Sequence, residues 1–292
     1  MIPKEVLKNI RRIQIKTSRM VMDVFAGQYQ SVFKGQGMEF NEVREYQPGD
    51  EIRSIDWNVT ARTGHPYIKK FVEERELTVM LILDMSASCF FGTAKQLKMQ
   101  LAAEICSVLA FSAIKNSDKV GLLIFTDKVE KFIPARKGVR HVLRVIREAL
   151  YFKPMGKTTD LNAALEYLNK VTTRKTVTFI ISDFYSSDFK KMLSAANKRH
   201  DIIAITITDP RELELPNIGI IQLDDPETGK SFLADSSNLN LRKEYTDNAH
   251  KKLKDRENLF RMVGVDAIDL RTDTAYSKSL FKFFKTRQRR KR

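Results

Sequence analysis

The run LTVMLIL at 77–83, followed at once by Asp84-Met85-Ser86-Ala87-Ser88, decides how the rest of the chain is read. It is short, rich in β-branched residues and apolar on both faces, the pattern of a strand buried inside a parallel sheet. Three more runs share that character: KVGLLIFT (119–126), KTVTFIIS (175–182) and DIIAITIT (201–208). Between them the period changes to that of a helix. One such segment covers Ala94–Lys115, with Leu97, Leu101, Ile105, Val108 and Leu109 on one face; others cover Val139–Leu150, Asp160–Val171 and roughly Asp188–Arg199. Strand–helix alternation of this kind predicts an α/β domain with a doubly wound, mainly parallel sheet and helices on both faces. In such sheets ligands bind outside the carboxyl ends of the strands.

Working outward, residues 25–76 carry the turn signals GQG, PGD and TGHP between QYQSVF, EFNEVREY and PYIKKFVEE, which predicts a small β-rich module. Residues 1–24 read as a helix through Leu7, Ile10, Ile13, Val21 and Val24. Beyond Thr208 come a hairpin with its turn at Pro226–Gly229, a long charged helix near 238–262, and the strand VDAIDL. The expected organisation is therefore an N-terminal helix (1–24), a β module (25–76), an α/β domain with an extension (77–277), and a basic C-terminal helix or tail (278–292).

Composition narrows the function. Of 292 residues, 42% are hydrophobic and 30% charged, as in a globular protein. The longest purely apolar run, Val79–Leu83, is far shorter than a membrane span, and the charged first residues do not read as a secretory signal. Two cysteines without CxxC spacing exclude a disulfide framework and suit a reducing compartment. The expected location is cytoplasmic, with peripheral contact at the inner membrane face as the second reading. The formal charge of +15 sits at the ends: +5 within residues 1–20, +8 within 278–292, and only +2 between. The folded middle is nearly neutral, which disfavours nucleic acid as a partner.

Three loops at the expected ligand edge carry chemistry. The first strand ends in the DxSxS Asp84, Ser86, Ser88; Gly156-Lys157-Thr158-Thr159-Asp160 precedes a helix; and another strand ends in Ser182-Asp183. Together they offer two carboxylates and three hydroxyls, hard oxygen donors suited to Mg²⁺, Mn²⁺ or Ca²⁺. The carboxylates neutralise a divalent cation, and the neutral hydroxyls leave it able to accept an outside ligand, most favourably an acidic residue of a partner protein.

These motifs resemble the metal-ion-dependent adhesion site of von Willebrand factor A domains. The flanking sequence, GQGMEFNEVREYQPGD, then IRSIDWNVTARTG, then IKKFVEERELTVMLILDMSAS, resembles the bacterial domain of unknown function 58 family, as do TDPRELELP, DDPETGKSF and FRMVGVDAIDLRTD. The resemblance covers nearly the whole chain. It implies that Asp84, Ser86, Ser88, Thr158 and Asp183 are metal ligands and that the fold is von Willebrand A-like. It also implies a MoxR-type AAA+ ATPase as partner in the assembly or maturation of protein complexes.

Other chemistries fit less well. GKTT imitates the end of a phosphate-binding loop, but Tyr151 stands where the loop's first Gly belongs and the preceding pattern is helical. Ser86 stands where a phosphoaspartyl phosphatase would carry a second Asp, and there is no G-x-S-x-G. A metal-dependent hydrolase remains the enzymatic alternative and requires a general base, whereas Asp84 and Asp183 are already engaged as ligands. Cys89 reads as buried packing. In the β module, Trp57 and Asp56 read as structural, while Arg44, Arg53 and Arg62 are either ion-pair residues or partner-binding anchors. For the C-terminal segment the first expectation is a helix docked through Leu280, Phe281 and Phe284, with Arg287–Arg292 in solvent. Peripheral membrane contact ranks second and weak phosphate binding third.

Overall fold

The computed structural model describes residues 39–290 except 73–75, 95, 187 and 228. The helix expected at 1–24 and the segment QYQSVF lie outside the described residues. The chain divides into two compact units, with one unit comprising Phe33–Leu77 and the α/β fold beginning at Thr78.

The small unit is an antiparallel pair, β1 (Glu39–Glu45) and β2 (Tyr67–Val72), joined through a 3₁₀ turn at Ile52–Ser54 and helix α1 (Trp57–Thr63). Residues 57–63 thus form a helix where only short strands were expected. Asp56 caps it, accepting from the Asn58 and Val59 amides, and Gly64 closes it in the left-handed conformation. Trp57 occupies the first helical position.

The α/β unit runs through β3 (Thr78–Asp84), α2 (Lys98–Lys115), β4 (Lys119–Phe125), β5 (Val129–Arg136), α3 (Val139–Tyr151), α4 (Leu161–Val171) and β6 (Val177–Ser182). It continues through α5 (Lys190–Arg199), β7 (Asp201–Thr208), the single turn α6 (Pro210–Leu213), β8 (Ile220–Asp224), β9 (Ser231–Asp235), α7 (Leu239–Val263), β10 (Asp266–Arg271) and α8 (Tyr276–Arg290). Six strands form one sheet in the order β10-β7-β6-β3-β4-β5, parallel except for β5. Strands β3, β4, β6 and β7 are buried nearly end to end, as their continuous apolar runs require. The fold is the doubly wound α/β sheet that the strand–helix alternation predicts.

Strand β5 was not anticipated. Its sequence, VEKFIPAR, alternates weakly and contains Pro134, which an edge strand tolerates. One sheet face packs on α4, α5 and α7 through Ile82, Leu123, Phe125, Leu165, Ile180 and Phe260, among others. The central helix α2, buried along almost its whole length, lies against β3, β4, β6 and β7 and packs on α3. Strands β8 and β9 make a separate two-stranded hairpin.

Helix α8 belongs to this unit rather than forming a separate tail. Leu280 and Phe284 are fully buried, and the helix packs on β10. Arg287 was expected in solvent. It is instead buried, with its guanidinium bonded to Asp201 and its Nε 3.4 Å from Asp266 Oδ2.

Candidate metal centre

The sheet reverses its winding at β3, which pairs with β4 on one side and β6 on the other. The loops leaving β3 and β6 therefore flank the crevice where doubly wound sheets bind ligands. Asp84 closes β3 and is fully buried. Its Oδ1 accepts from the Ser86 amide at 2.9 Å, and its Oδ2 accepts from Ser182 Oγ at 2.5 Å. A 3₁₀ turn over Ala87–Phe90 follows and leaves the Ser86 and Ser88 hydroxyl oxygens 3.1 Å apart.

The second loop is tied to the first, because the Ala87 amide donates to the Lys157 carbonyl at 2.8 Å. Gly156 makes its close passage possible. A Cβ there would stand 2.0 Å from Asp127 Oδ1 and 2.2 Å from Thr126 Oγ1, so no larger residue fits. The Gly156 amide donates to Glu130 Oε1 at 2.8 Å. Asp160 caps α4 through the Asn162 and Ala163 amides, a structural role. Thr158 is exposed. Its neighbour Thr159 is the residue drawn into the cluster: its Oγ1 donates to Glu227 Oε1 at 2.8 Å.

Asp183 follows β6 and is 1% exposed. Its Oδ2 accepts from Lys98 Nζ at 2.7 Å, its Oδ1 from the Tyr185 amide at 3.1 Å, and its carbonyl from Arg256 Nη1 at 2.7 Å. The turn behind it is strained, since Phe184 adopts φ +60, a region that bulky residues rarely enter. The ring is held there by edge and tilted contacts to Phe260 and Phe189. Lys98 is itself buried and also donates to Glu212 Oε1 at 2.6 Å.

Burial, and next the nearby charge of Asp183, push the Asp84 carboxyl up to about 6, against hydrogen bonds from Ser182 and Ser86 that favour its ionised form. Burial would lower the Lys98 ammonium, but Asp183 and Glu212 outweigh it and hold the ammonium protonated. The Cys89 thiol is pushed well up by burial and then by Asp84 and Asp183, which makes it inert. Among the described residues the one ammonium on this buried pair, Lys98, is shared between Asp183 and Glu212, which leaves Asp84 and Asp183 short of positive charge. Among the described residues no group of three His, Cys, Asp or Glu side chains is arranged to hold a metal. A cation here would rest on Asp84 and Asp183 with the hydroxyls of Ser86 and Ser88, and Thr159 in place of Thr158. That donor set, hard oxygens around two buried and mutually repelling carboxylates, fits Mg²⁺ or a similar ion.

Lys98, Glu212, Thr159 and Glu227 escaped the sequence reading. Lys98 and Glu212 lie outside the three motif loops, and a choice between adjacent threonines needs a backbone conformation. In the small unit, Arg44 forks onto Asp50, its nitrogens 3.0 and 2.8 Å from the two carboxylate oxygens, and holds that turn. Arg53 and Arg62 are exposed.

An uncharacterized protein of Mycobacterium tuberculosis, Rv1480, is 33% identical over 285 residues, covering 96% of this chain and 89% of that protein. YeaD of Bacillus subtilis, also uncharacterized, is 22% identical over 178 residues, 61% of this chain and 42% of that one. Among solved structures, BatB from Bacteroides thetaiotaomicron matches 73% of this chain and 99% of its own at 15% identity and a TM-score of 0.45. The SpRpn10 VWA domain matches 70% of this chain and 93% of its own at 11% identity and a TM-score of 0.38. The family model for the protein of unknown function DUF58 matches residues 42–255. With that match and the extent of the mycobacterial similarity, the chain belongs to the DUF58 family.

Proposed function

We propose that this protein is a non-enzymatic interaction module whose binding to a partner depends on a divalent cation held at the carboxyl edge of the sheet. The observation that carries this reading is the pair of buried carboxylates, Asp84 and Asp183, placed side by side with too little positive charge around them. A bound Mg²⁺ would supply a positive centre open to one carboxylate oxygen from another protein. Asp84 and Asp183 balance charge there, Ser86, Ser88 and Thr159 offer neutral oxygens, and Lys98 keeps Asp183 ionised and oriented. With both buried carboxylates engaged in this way, neither is free to act as a general base.

The partner proposed, as the family resemblance implies, is a MoxR-type AAA+ ATPase, with an acidic residue meeting the metal, in assembly or maturation of protein complexes. The proposed location is cytoplasmic. No helix among the described residues is long and apolar enough to cross a membrane. Helix α8 has already buried Leu280 and Phe284 in the protein, leaving Phe281 as a small face for lipid.

Calorimetric titration with Mg²⁺ tests the centre. Wild type should bind, whereas Asp84→Ala and Asp183→Ala should not; unchanged affinity in both variants would overturn the assignment. Recovery of an AAA+ ATPase from native lysate should disappear on adding chelator.

A further inference from the structure

One carboxylate at the centre comes from outside its three loops. Glu227 sits in the turn of the β8–β9 hairpin, where Thr159 Oγ1 donates to it at 2.8 Å. Burial, with the nearby charges of Asp183 and Asp225, pushes its carboxyl up against that hydrogen bond. A hydroxyl assigned to the metal centre is therefore already turned toward a carboxylate of the chain itself. Beside Glu227 opens a cavity of about 400 Å³ lined by Thr159, Tyr185, Ser186, Lys252 and Arg256, among others. Its two basic residues stand against two acids, Glu227 and Asp255, so that moving Glu227 out leaves the lining with an excess of positive charge. The Lys252 ammonium lies 5.6 Å from the centre of the Tyr185 ring, and Arg256 keeps a buried Nε with no hydrogen-bond partner among the described residues.

The hairpin that carries Glu227 is lightly attached. It forms its own two-stranded sheet outside the six-stranded one. Ile220, Phe232 and Leu233 on it are exposed. Its base is fixed by Ser236, whose Oγ donates to the Gly219 carbonyl at 2.6 Å and accepts from the Ile218 amide at 3.1 Å. A lone two-stranded hairpin is marginal by itself. Moving its tip would break the contacts of Glu227 while the main core stays packed.

We infer that the cavity beside Glu227 is the docking site for an acidic segment of a partner protein, and that Glu227 holds the carboxylate position there until the partner displaces it. The inference rests on reading the centre as a cation-dependent carboxylate acceptor and adds both the place of the partner and an internal competitor. An occupant that blocks the site lowers apparent affinity by the fraction of molecules left open, so removing it tightens binding without any new contact.

The test uses the full chain and a fluorescein-labelled hexaglutamate peptide, followed by fluorescence anisotropy in Mg²⁺ and in EDTA, with Mg²⁺ calorimetry on the same samples. Glu227→Ala should bind the peptide about tenfold more tightly than wild type in Mg²⁺ and lose that gain in EDTA. Asp224→Asn, which removes an equal charge from the same hairpin, should stay within about twofold of wild type. Lys252→Glu added to Glu227→Ala should reverse the gain. If Glu227→Ala binds no tighter than Asp224→Asn while both still take up Mg²⁺, the inference is overturned and the metal centre stands. Peptide binding that is equally tight in EDTA overturns it too. If wild type takes up no Mg²⁺, the reading of the centre fails and the inference fails with it.

Discussion

The two ends of the sheet use the same device with opposite results. At the amino edge, Arg287 bridges Asp201 and Asp266, the first residues of β7 and β10. At the carboxyl edge, Lys98 bridges Asp183 and Glu212. The amino-edge carboxylates are partly solvated, 21% and 30% exposed, and water shares their charge. At the carboxyl edge Lys98 and Asp183 are each 1% exposed, and a further buried carboxylate, Asp84, stands beside them without a cation of its own. A partly solvated charge cluster, balanced by Arg290 at 3.3 Å from Asp266 as well as by Arg287, closes an end of the fold. A buried cluster left short of positive charge is a place for something else to bind.

This contrast can be broken most severely at Lys98. Lys98→Met would leave Asp183 without its ammonium in the interior and should cost about 3–5 kcal/mol of unfolding free energy, measured by urea denaturation in EDTA. Wild-type stability in that variant would mean that Lys98 does not hold the cluster together.

The second effect concerns pH. The Asp84 carboxyl is raised to about 6 in the folded state, mainly by burial, so between about pH 4 and 6 the folded protein binds more protons than the unfolded chain. In EDTA, stability from this group is therefore full at low pH and is lost as pH rises through 6, by on the order of 3 kcal/mol. Asp84→Asn should flatten that decline. Mg²⁺ should offset it in wild type, because a ligand of the folded state alone stabilises it. Denaturation midpoints between pH 4 and 8, with and without Mg²⁺, read both effects; a wild type in EDTA that gains stability across this range would contradict the shortage of positive charge.

The smallest effect sharpens the other side of the comparison. Arg287→Met should lower stability by only about 1–2 kcal/mol, because Asp201 and Asp266 regain water. Its Mg²⁺ affinity by calorimetry should equal that of wild type. A loss of Mg²⁺ binding in that variant would join the two edges into one system.

The parallel strands of the sheet were legible from local periodicity. Strands β3, β4, β6 and β7 are apolar on both faces and the intervening helices amphipathic, and this local pattern admits few other arrangements. It also brought out Asp84, Ser86, Ser88 and Asp183, because strand-end residues of a doubly wound sheet share one edge whatever their distance in the chain. Strand β5 was not legible because it alternates weakly and contains Pro134, and helix α1 because its seven residues are too few to show a helical period. What the site residues meet follows from long-range packing. Lys98 reads in sequence as one more charge at a helix start, and Glu227 as one more acid in a turn. The packing of α2 on the sheet brings the first to Asp183, and the fold-back of the β8–β9 hairpin brings the second to Thr159. The same holds for Arg287, which belongs to a basic run in sequence and is buried against Asp201 and Asp266 in the fold. Periodicity reports which face of an element is buried. Which charge lies opposite which depends on contacts between residues far apart in the chain, 85 positions for Lys98 and Asp183 and 114 for Lys98 and Glu212, and those exist only once the chain has folded.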